Sequence, residues 1–145
     1  MVDFDLTDEQ KMLRDMVREF VQTDIKPIAQ KIDENEKIPK ELIAKMGELG
    51  LLGAVFPPEY GGGGFGEYGY CVMQQEIARG CMSTATFIGA HESIGANAIY
   101  IGGSEFLKKK YLVPLAEGKM MGRVHYSQHT SRRDGTGSRA AASIA

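Results

Sequence analysis

Leu13, Met16, Val17, Phe20 and Val21 share one face of a helix, with polar residues at most positions between them. A start signal lies just upstream. Thr7 is the expected N-cap, Gln10 completes a capping box, and Asp8 and Glu9 oppose the positive end of the helix dipole. Pro27 lacks an amide proton and crowds the preceding turn, so it should interrupt or restart the helix, which resumes through Ile28, Ala29 and Ile32. The charged run Asp33 to Lys37 reads as a solvated connector. Pro39 then suits the first turn of a second helix, Leu42, Ile43, Met46 and Leu49 form its buried face, and Gly50 its C-cap. A short apolar run, Leu51 to Phe56, closes on Pro57-Pro58 and leads into the glycines 61–64.

The spacing predicts a third helix from about Glu67 to Arg79, with Val72, Met73 and Ile77 inward and Gly80 as its stop. A fourth runs from about Ser83 to Tyr100, with Phe87, Ile88, His91, Ile94, Gly95 and Ala98 on one face. Glycine costs about 1 kcal/mol per helical position relative to alanine. A helix that carries Gly89 and Gly95 is therefore expected to be buried, with something packed very close to it. Gly102-Gly103 ends that helix, and Ser104 caps a fifth that contains Phe106, Leu107, Tyr111 and Leu112. Pro114 and Gly118 mark its exit, and Met120-Met121 stands where a strand would begin. No internal repeat is present. The expected fold is all-α, a helical bundle of five or six helices with short connections and an irregular tail.

Composition changes the picture at one place. Residues 1–122 hold 13 Lys+Arg against 18 Asp+Glu, while residues 123–145 hold Arg123, Arg132, Arg133 and Arg139 against Asp134 alone. This last stretch has no long aliphatic run, so it buries too little apolar surface to offset its ordering entropy and is expected to be disordered or loosely packed. The chain thus divides into a helical domain, 1–122, and a tail, 123–145. The acidic body argues against nonspecific nucleic-acid binding. No apolar stretch approaches the roughly 20 residues that span a bilayer. Cys71 and Cys81 read as reduced thiols, and the acidic N-terminus as neither signal nor transit peptide, which places the protein in the cytoplasm.

Candidate chemistry is sparse. Gly61, Gly63 and Gly66 match the spacing of the dinucleotide fingerprint, but Pro57-Pro58-Glu59-Tyr60 separates them from the preceding apolar run, where the fingerprint needs a tight turn. A flexible glycine loop is the better reading. His91 either lines a ligand cavity or acts as a base, or is a satisfied buried histidine, and the last is favoured. Its neighbour Glu92 points elsewhere, because adjacent helix residues do not face each other. Lys108-Lys109-Lys110 suits phosphate contact or a solvated helix face equally. His125 and His129 have a helical metal-ligand spacing without a third ligand, so no metal is expected. No complete catalytic set emerges. The thin helix with Phe87, Ala90, His91 and Ile94 still suits one wall of an apolar pocket.

Several motifs, in order, resemble the acyl-CoA dehydrogenase family. They are Leu6-Thr7-Asp8-Glu9-Gln10, Gly50-Leu51-Leu52-Gly53, Pro58-Glu59-Tyr60-Gly61-Gly62, Gln75-Glu76-Ile77-Ala78, Gly95-Ala96-Asn97-Ala98-Ile99, and Lys110-Tyr111-Leu112-Val113-Pro114-Leu115-Ala116-Glu117-Gly118. The resemblance covers about Asp5 to Gly122. It implies an FAD-dependent oxidoreductase, usually a homotetramer, with a helical N-terminal domain, a middle β-domain and a C-terminal helical domain. Such enzymes remove the α-proton of an acyl-CoA thioester with a glutamate base, move hydride from the β-carbon to flavin, and pass electrons to an electron-transfer flavoprotein. Carried onto this chain, Phe87, Ala90, His91 and Ile94 would face the acyl tail. The glutamate base and most flavin contacts would lie beyond Gly122, so no catalytic or cofactor-binding residue is expected here and the chain alone should be inactive.

After Gly122 the resemblance stops. The family continues with a strand and Leu-Thr-Glu-Pro-x-Ala-Gly-Ser/Thr-Asp, where this chain has Arg123-Val124-His125-Tyr126-Ser127. Codons for Ser127 to Gly135, read one nucleotide later, can spell Leu-(Asn/Ser)-(Thr/Ile)-Pro-His-Ala-Gly-Thr-Glu, so the tail is expected to be an out-of-frame remnant of that motif. Two other readings stand beside this one. The first is a non-catalytic helical interaction module whose basic arm binds nucleic acid or an acidic partner, and the second a dinucleotide-binding unit.

Overall fold

A computed structural model describes residues 5–126 and 140–144. Helix α1 (Asp8–Phe20) opens on the expected capping box: the Gln10 amide donates to Thr7 Oγ1 at 3.2 Å, and the Thr7 amide to Gln10 Oε1 at 2.9 Å. The rod does not break at Pro27. It widens into a π turn (Val21–Ile25), tightens through a 3₁₀ turn (Lys26–Ile28) and continues as α2 (Ala29–Asn35). In the π turn the Lys26 amide reaches back to the Val21 carbonyl, and this shift of register makes room for the proline ring and its missing donor. Helix α3 (Lys40–Glu48) ends at Gly50, whose positive φ of 71° lets the Leu51 amide bond the Met46 carbonyl at 2.9 Å.

Helices α4 (Gly66–Gly80) and α5 (Met82–Gly89) follow, and α5 runs through a second π turn (Ala90–Ala96) into α6 (Asn97–Gly102). The last rod is α7 (Glu105–Leu107), capped by Ser104, a π turn (Lys108–Leu112) and α8 (Val113–Ala116). Pro114, like Pro27, comes just after a π turn, and helix continues past both prolines.

The main core is built where α1, α3 and α4 meet the buried loop 51–54 and α5. Val17, Ile25, Met46, Leu51, Leu52, Met73, Ile77 and Ile88 are fully enclosed, each worth about 1.5–3 kcal/mol of burial. A second cluster of Phe56, Tyr60, Ala96, Leu112, Leu115 and Ala116 fixes the last rod to the 90–96 turn. Gly80, expected as a helix stop, has a packing reason as well, since a Cβ there would collide with Val21 Cγ1.

Residues 123–126 and 140–144, expected to be irregular, lie in strands β1 (Gly122–Tyr126) and β2 (Ala140–Ile144), which pair antiparallel with Gly122 opposite Ile144. Pairing satisfies backbone groups that an irregular segment would leave to solvent, and it overrides the helical preference of the alanines. Arg132, Arg133, Arg139, Asp134, His129 and the proposed remnant at 127–135 lie outside the described residues.

One ion cluster joins α1 to α4. Glu76, buried on α4, accepts from Arg18 Nε at 3.1 Å and Nη2 at 2.9 Å, and from Arg79 Nη1 at 2.7 Å. The bonds from Arg18, more than the opposing burial, hold its carboxyl below the ordinary carboxylate range. Its contribution is therefore complete above that range and is lost as pH falls through the lowered value. Glu76→Ala should cost about 2 kcal/mol in urea unfolding. The loss is below that of orphaning a buried charge, because both arginines are already about half exposed and can solvate.

Candidate functional site

The rod 82–102 separates two environments. On its outer side Ala90 and Ile94 are exposed, Ile94 by 50 %, and Ala98 and Ile101 extend the same bare apolar face. Phe87 is half-buried and opens on a cavity of about 550 Å³ floored by Ile32, Ile38 and Ile43, with Asp33, Glu36 and Lys37 at its mouth. His91 stands apart from these three. It is 1 % exposed and stacks behind Phe87, with ring centroids 6.5 Å apart and planes 12° from parallel.

Both ring nitrogens of His91 are engaged. The Gly122 amide donates to Nδ1 at 3.1 Å, which leaves Nε2 to carry the proton and donate to the Leu115 carbonyl at 3.1 Å. Burial, more than the opposing carbonyls of Leu115 and Leu52, pushes the imidazole below its ordinary value. The two bonds span the whole exit segment 115–122. That segment also lies in a groove made by absent side chains. A Cβ on Gly47 would come 2.8 Å from the Glu117 carbonyl carbon, one on Gly53 2.7 Å from Ala116 Cβ, and one on Gly95 2.8 Å from the carbonyl carbon of Gly122. The close neighbour expected from the thinness of the fourth helix is thus the start of β1.

Glu92 escaped sequence reasoning. It is 1 % exposed, its Oε1 accepts the Val55 amide at 2.8 Å, and its Oε2 has no hydrogen-bond partner among the described residues. Burial, reinforced by Glu67, pushes its carboxyl up to about 7 against the bonds from the loop amides. A signal was present: between Arg79 and Glu105 it is the one Asp, Glu, Lys or Arg in the sequence.

The glycines 61–64 are folded back on the loop before them. The Gly63 amide bonds the Gly53 carbonyl at 2.9 Å, the Gly64 amide that of Phe56 at 3.0 Å, and the Phe65 amide that of Ala54 at 2.8 Å. Their donors are spent internally, so the turn offers no cradle for a diphosphate. No strand precedes it, since residues 51–56 are turns and bends. The dinucleotide-binding reading is therefore set aside.

Lys108 follows neither of its two readings, since its side chain is only 19 % exposed. Its Nζ lies 5.8 Å from the Tyr60 ring and 5.4 Å from that of Tyr100, and pairs with Glu105 at 3.3 Å. Tyr60 donates to Glu105 at 2.9 Å, and that bond is the first cause that drives its hydroxyl up to about 12. This cluster braces the last rod. Among the described residues no group of His, Cys, Asp and Glu is placed to hold a metal ion, and no helix is long and apolar enough to cross a membrane.

Residues 7–119 match the family model described as acyl-CoA dehydrogenase, N-terminal domain. The chain is 45 % identical over 121 residues to the short-chain-specific acyl-CoA dehydrogenase of Clostridium acetobutylicum, a match over 83 % of this chain and 32 % of that protein. Its fold is similar to butyryl-CoA dehydrogenase from Megasphaera elsdenii, with a TM-score of 0.80 and 30 % identity over 95 % of this chain and 37 % of that one. It is similar also to a glutaryl-CoA dehydrogenase from Mycobacterium smegmatis in complex with FADH2, with a TM-score of 0.75 and 30 % identity over 80 % of this chain and 30 % of that one. The chain thus spans about a third of the length of these relatives.

Proposed function

The chain belongs to the acyl-CoA dehydrogenase family through its N-terminal helical domain, and on that premise we propose that it is the corresponding part of an FAD-dependent enzyme that dehydrogenates acyl-CoA thioesters between the α- and β-carbons. The observation that carries this reading is the uncovered apolar face of the rod 82–102. Ala90 and Ile94 stand bare beside half-buried Phe87, and contiguous apolar surface of this kind marks a ligand or partner site. In the parent enzyme Phe87, Ala90 and Ile94 form a wall toward the acyl chain, and His91 supports that wall from behind Phe87.

The glycine turn is no flavin seat, because its amides are already bonded within the chain. The flavin belongs to the part of the parent enzyme beyond Gly122, together with the glutamate base. An electron-transfer flavoprotein as acceptor, a homotetrameric parent and a cytoplasmic location complete the proposal. The division into a helical domain at 1–122 and an out-of-frame tail at 123–145 is part of it. Resequencing the locus should recover the missing motif in a neighbouring frame, and a locus with no such motif in any frame removes the tail reading.

The test of function is a chimera. Residues 7–119 are placed in the Clostridium acetobutylicum relative in exchange for the matching segment. The chimera should bind flavin, read by its visible absorbance, and oxidise a short acyl-CoA with a dye as acceptor, while the isolated chain turns over nothing. A folded, flavin-loaded chimera without turnover counts against the proposal, as does an isolated chain with activity.

A further inference from the structure

We propose that His91 is a pH-sensitive latch that holds the start of β1 to the helical body and releases it on acidification. The geometry that carries this is the two-point grip on the exit segment. Nδ1 accepts the Gly122 amide, and Nε2 donates to the Leu115 carbonyl, both at 3.1 Å. The grip works for one protonation state only. A proton on Nδ1 would face the Gly122 N–H, two donors in contact, and one of them must move away. The carbonyl of Leu52 also acts on the ring and favours its protonated form.

The segment that would be released is held otherwise by fit. Gly95 and Gly122 meet backbone to backbone, with no side chain between them to interlock. Ionisable groups on the surrounding elements are few. Glu92 shares the turn but bonds the Val55 amide, Glu117 and Lys119 pair with each other at 2.7 Å, and Glu105 pairs with Lys108. The loop 50–56 contains none, and β1 carries Arg123 and His125 in its sequence. Burial depresses the folded imidazole below its ordinary value near 6.5, so the unfolded or released ring binds the proton more strongly. The latch is closed at neutral pH and opens as pH falls below that value.

The test is amide exchange and imidazole ¹⁵N shifts on the labelled 145-residue chain. At neutral pH the His91 shifts should report a proton on Nε2 and none on Nδ1. Between about pH 7.5 and about pH 5, protection at Gly122, corrected for intrinsic exchange, should fall about tenfold or more in step with the His91 ring, while the Ile77 amide in α4 stays protected. His91→Asn retains an acceptor for Gly122 without titrating, so it should keep Gly122 protected at both ends. An Nδ1–H ring at neutral pH overturns the latch. So does Gly122 protection that ignores the ring's titration, or that falls together with Ile77, which is global unfolding. A pH response that survives in His91→Asn arises from another group and overturns it too. Should that variant fail to fold, the wild-type shifts and exchange decide alone.

Discussion

Gly62→Ala is expected to destabilise the chain by about 3 kcal/mol or more, a large share of a domain's stability. A methyl group there would fall inside contact distance of the Phe56 carbonyl oxygen and 2.6 Å from that of Gly53. Both are backbone atoms of a fully enclosed loop, so no side chain can swing away to make room. Gly66→Ala is the informative partner. Its φ of 67° disfavours a side chain, yet nothing lies within 4 Å of the new Cβ, so its cost should stay at about 1–2 kcal/mol. A nucleotide fingerprint predicts another ranking, because Gly61, Gly63 and Gly66 are then the required positions and Gly62 is a free one. Urea unfolding of the two variants decides between them. A harmless Gly62→Ala beside a damaging Gly66→Ala would restore the fingerprint.

The sequence showed helix positions well because they depend on local chemistry. The capping box at Thr7 and Gln10, the Ser104 cap and the left-handed Gly50 were all readable from residue type and spacing. The continuity of the rods through Pro27 and Pro114 was not. A π turn absorbs a proline by a change in hydrogen-bond register, and periodicity at 3.6 residues does not register that change. The pairing of β1 with β2 was hidden for another reason: its partners are 14 residues apart at Tyr126–Ala140 and 22 at Gly122–Ile144, and an alanine run carries no strand signal.

The site was legible in part. Small residues on the fourth helix implied a close neighbour, and Gly122 is that neighbour. Apolar spacing grouped Phe87, Ala90, His91 and Ile94, but the structure leaves only Ala90 and Ile94 bare and turns His91 to the exit segment. Residues 87, 91 and 94 sit close enough on a helical wheel for one face to shade into the next, and burial on both sides of a rod erases the contrast that would separate them. Glu92 was overlooked because it was judged only against His91. Its exceptional position as a lone charge in a long uncharged run was the stronger clue.

That buried carboxyl makes the second large prediction, a loss of stability as pH rises from 4.5 to about 7 that Glu92→Gln removes. Folding raises the Glu92 pKa from 4.5 to about 7. Below the unfolded value both states are protonated, and burial of the neutral acid has no pH dependence. Above it the unfolded chain gives up its proton while the folded chain retains it, so stability declines with pH until the folded group also ionises, near 7. The decline should total on the order of 3 kcal/mol. His91 works in the opposite sense, since its depressed folded value makes stability rise with pH toward 6.5. The wild-type profile alone therefore blends the two, whereas the difference between wild type and Glu92→Gln isolates the carboxyl. The variant should match the wild type within about 1 kcal/mol near pH 4.5, since both then hold a neutral group in the same place. It should be the more stable protein by about 3 kcal/mol at pH 8. Denaturant midpoints across that range provide the measurement. Parallel profiles for the two proteins would mean that Oε2 has found water or a proton donor and that Glu92 stays charged in the core.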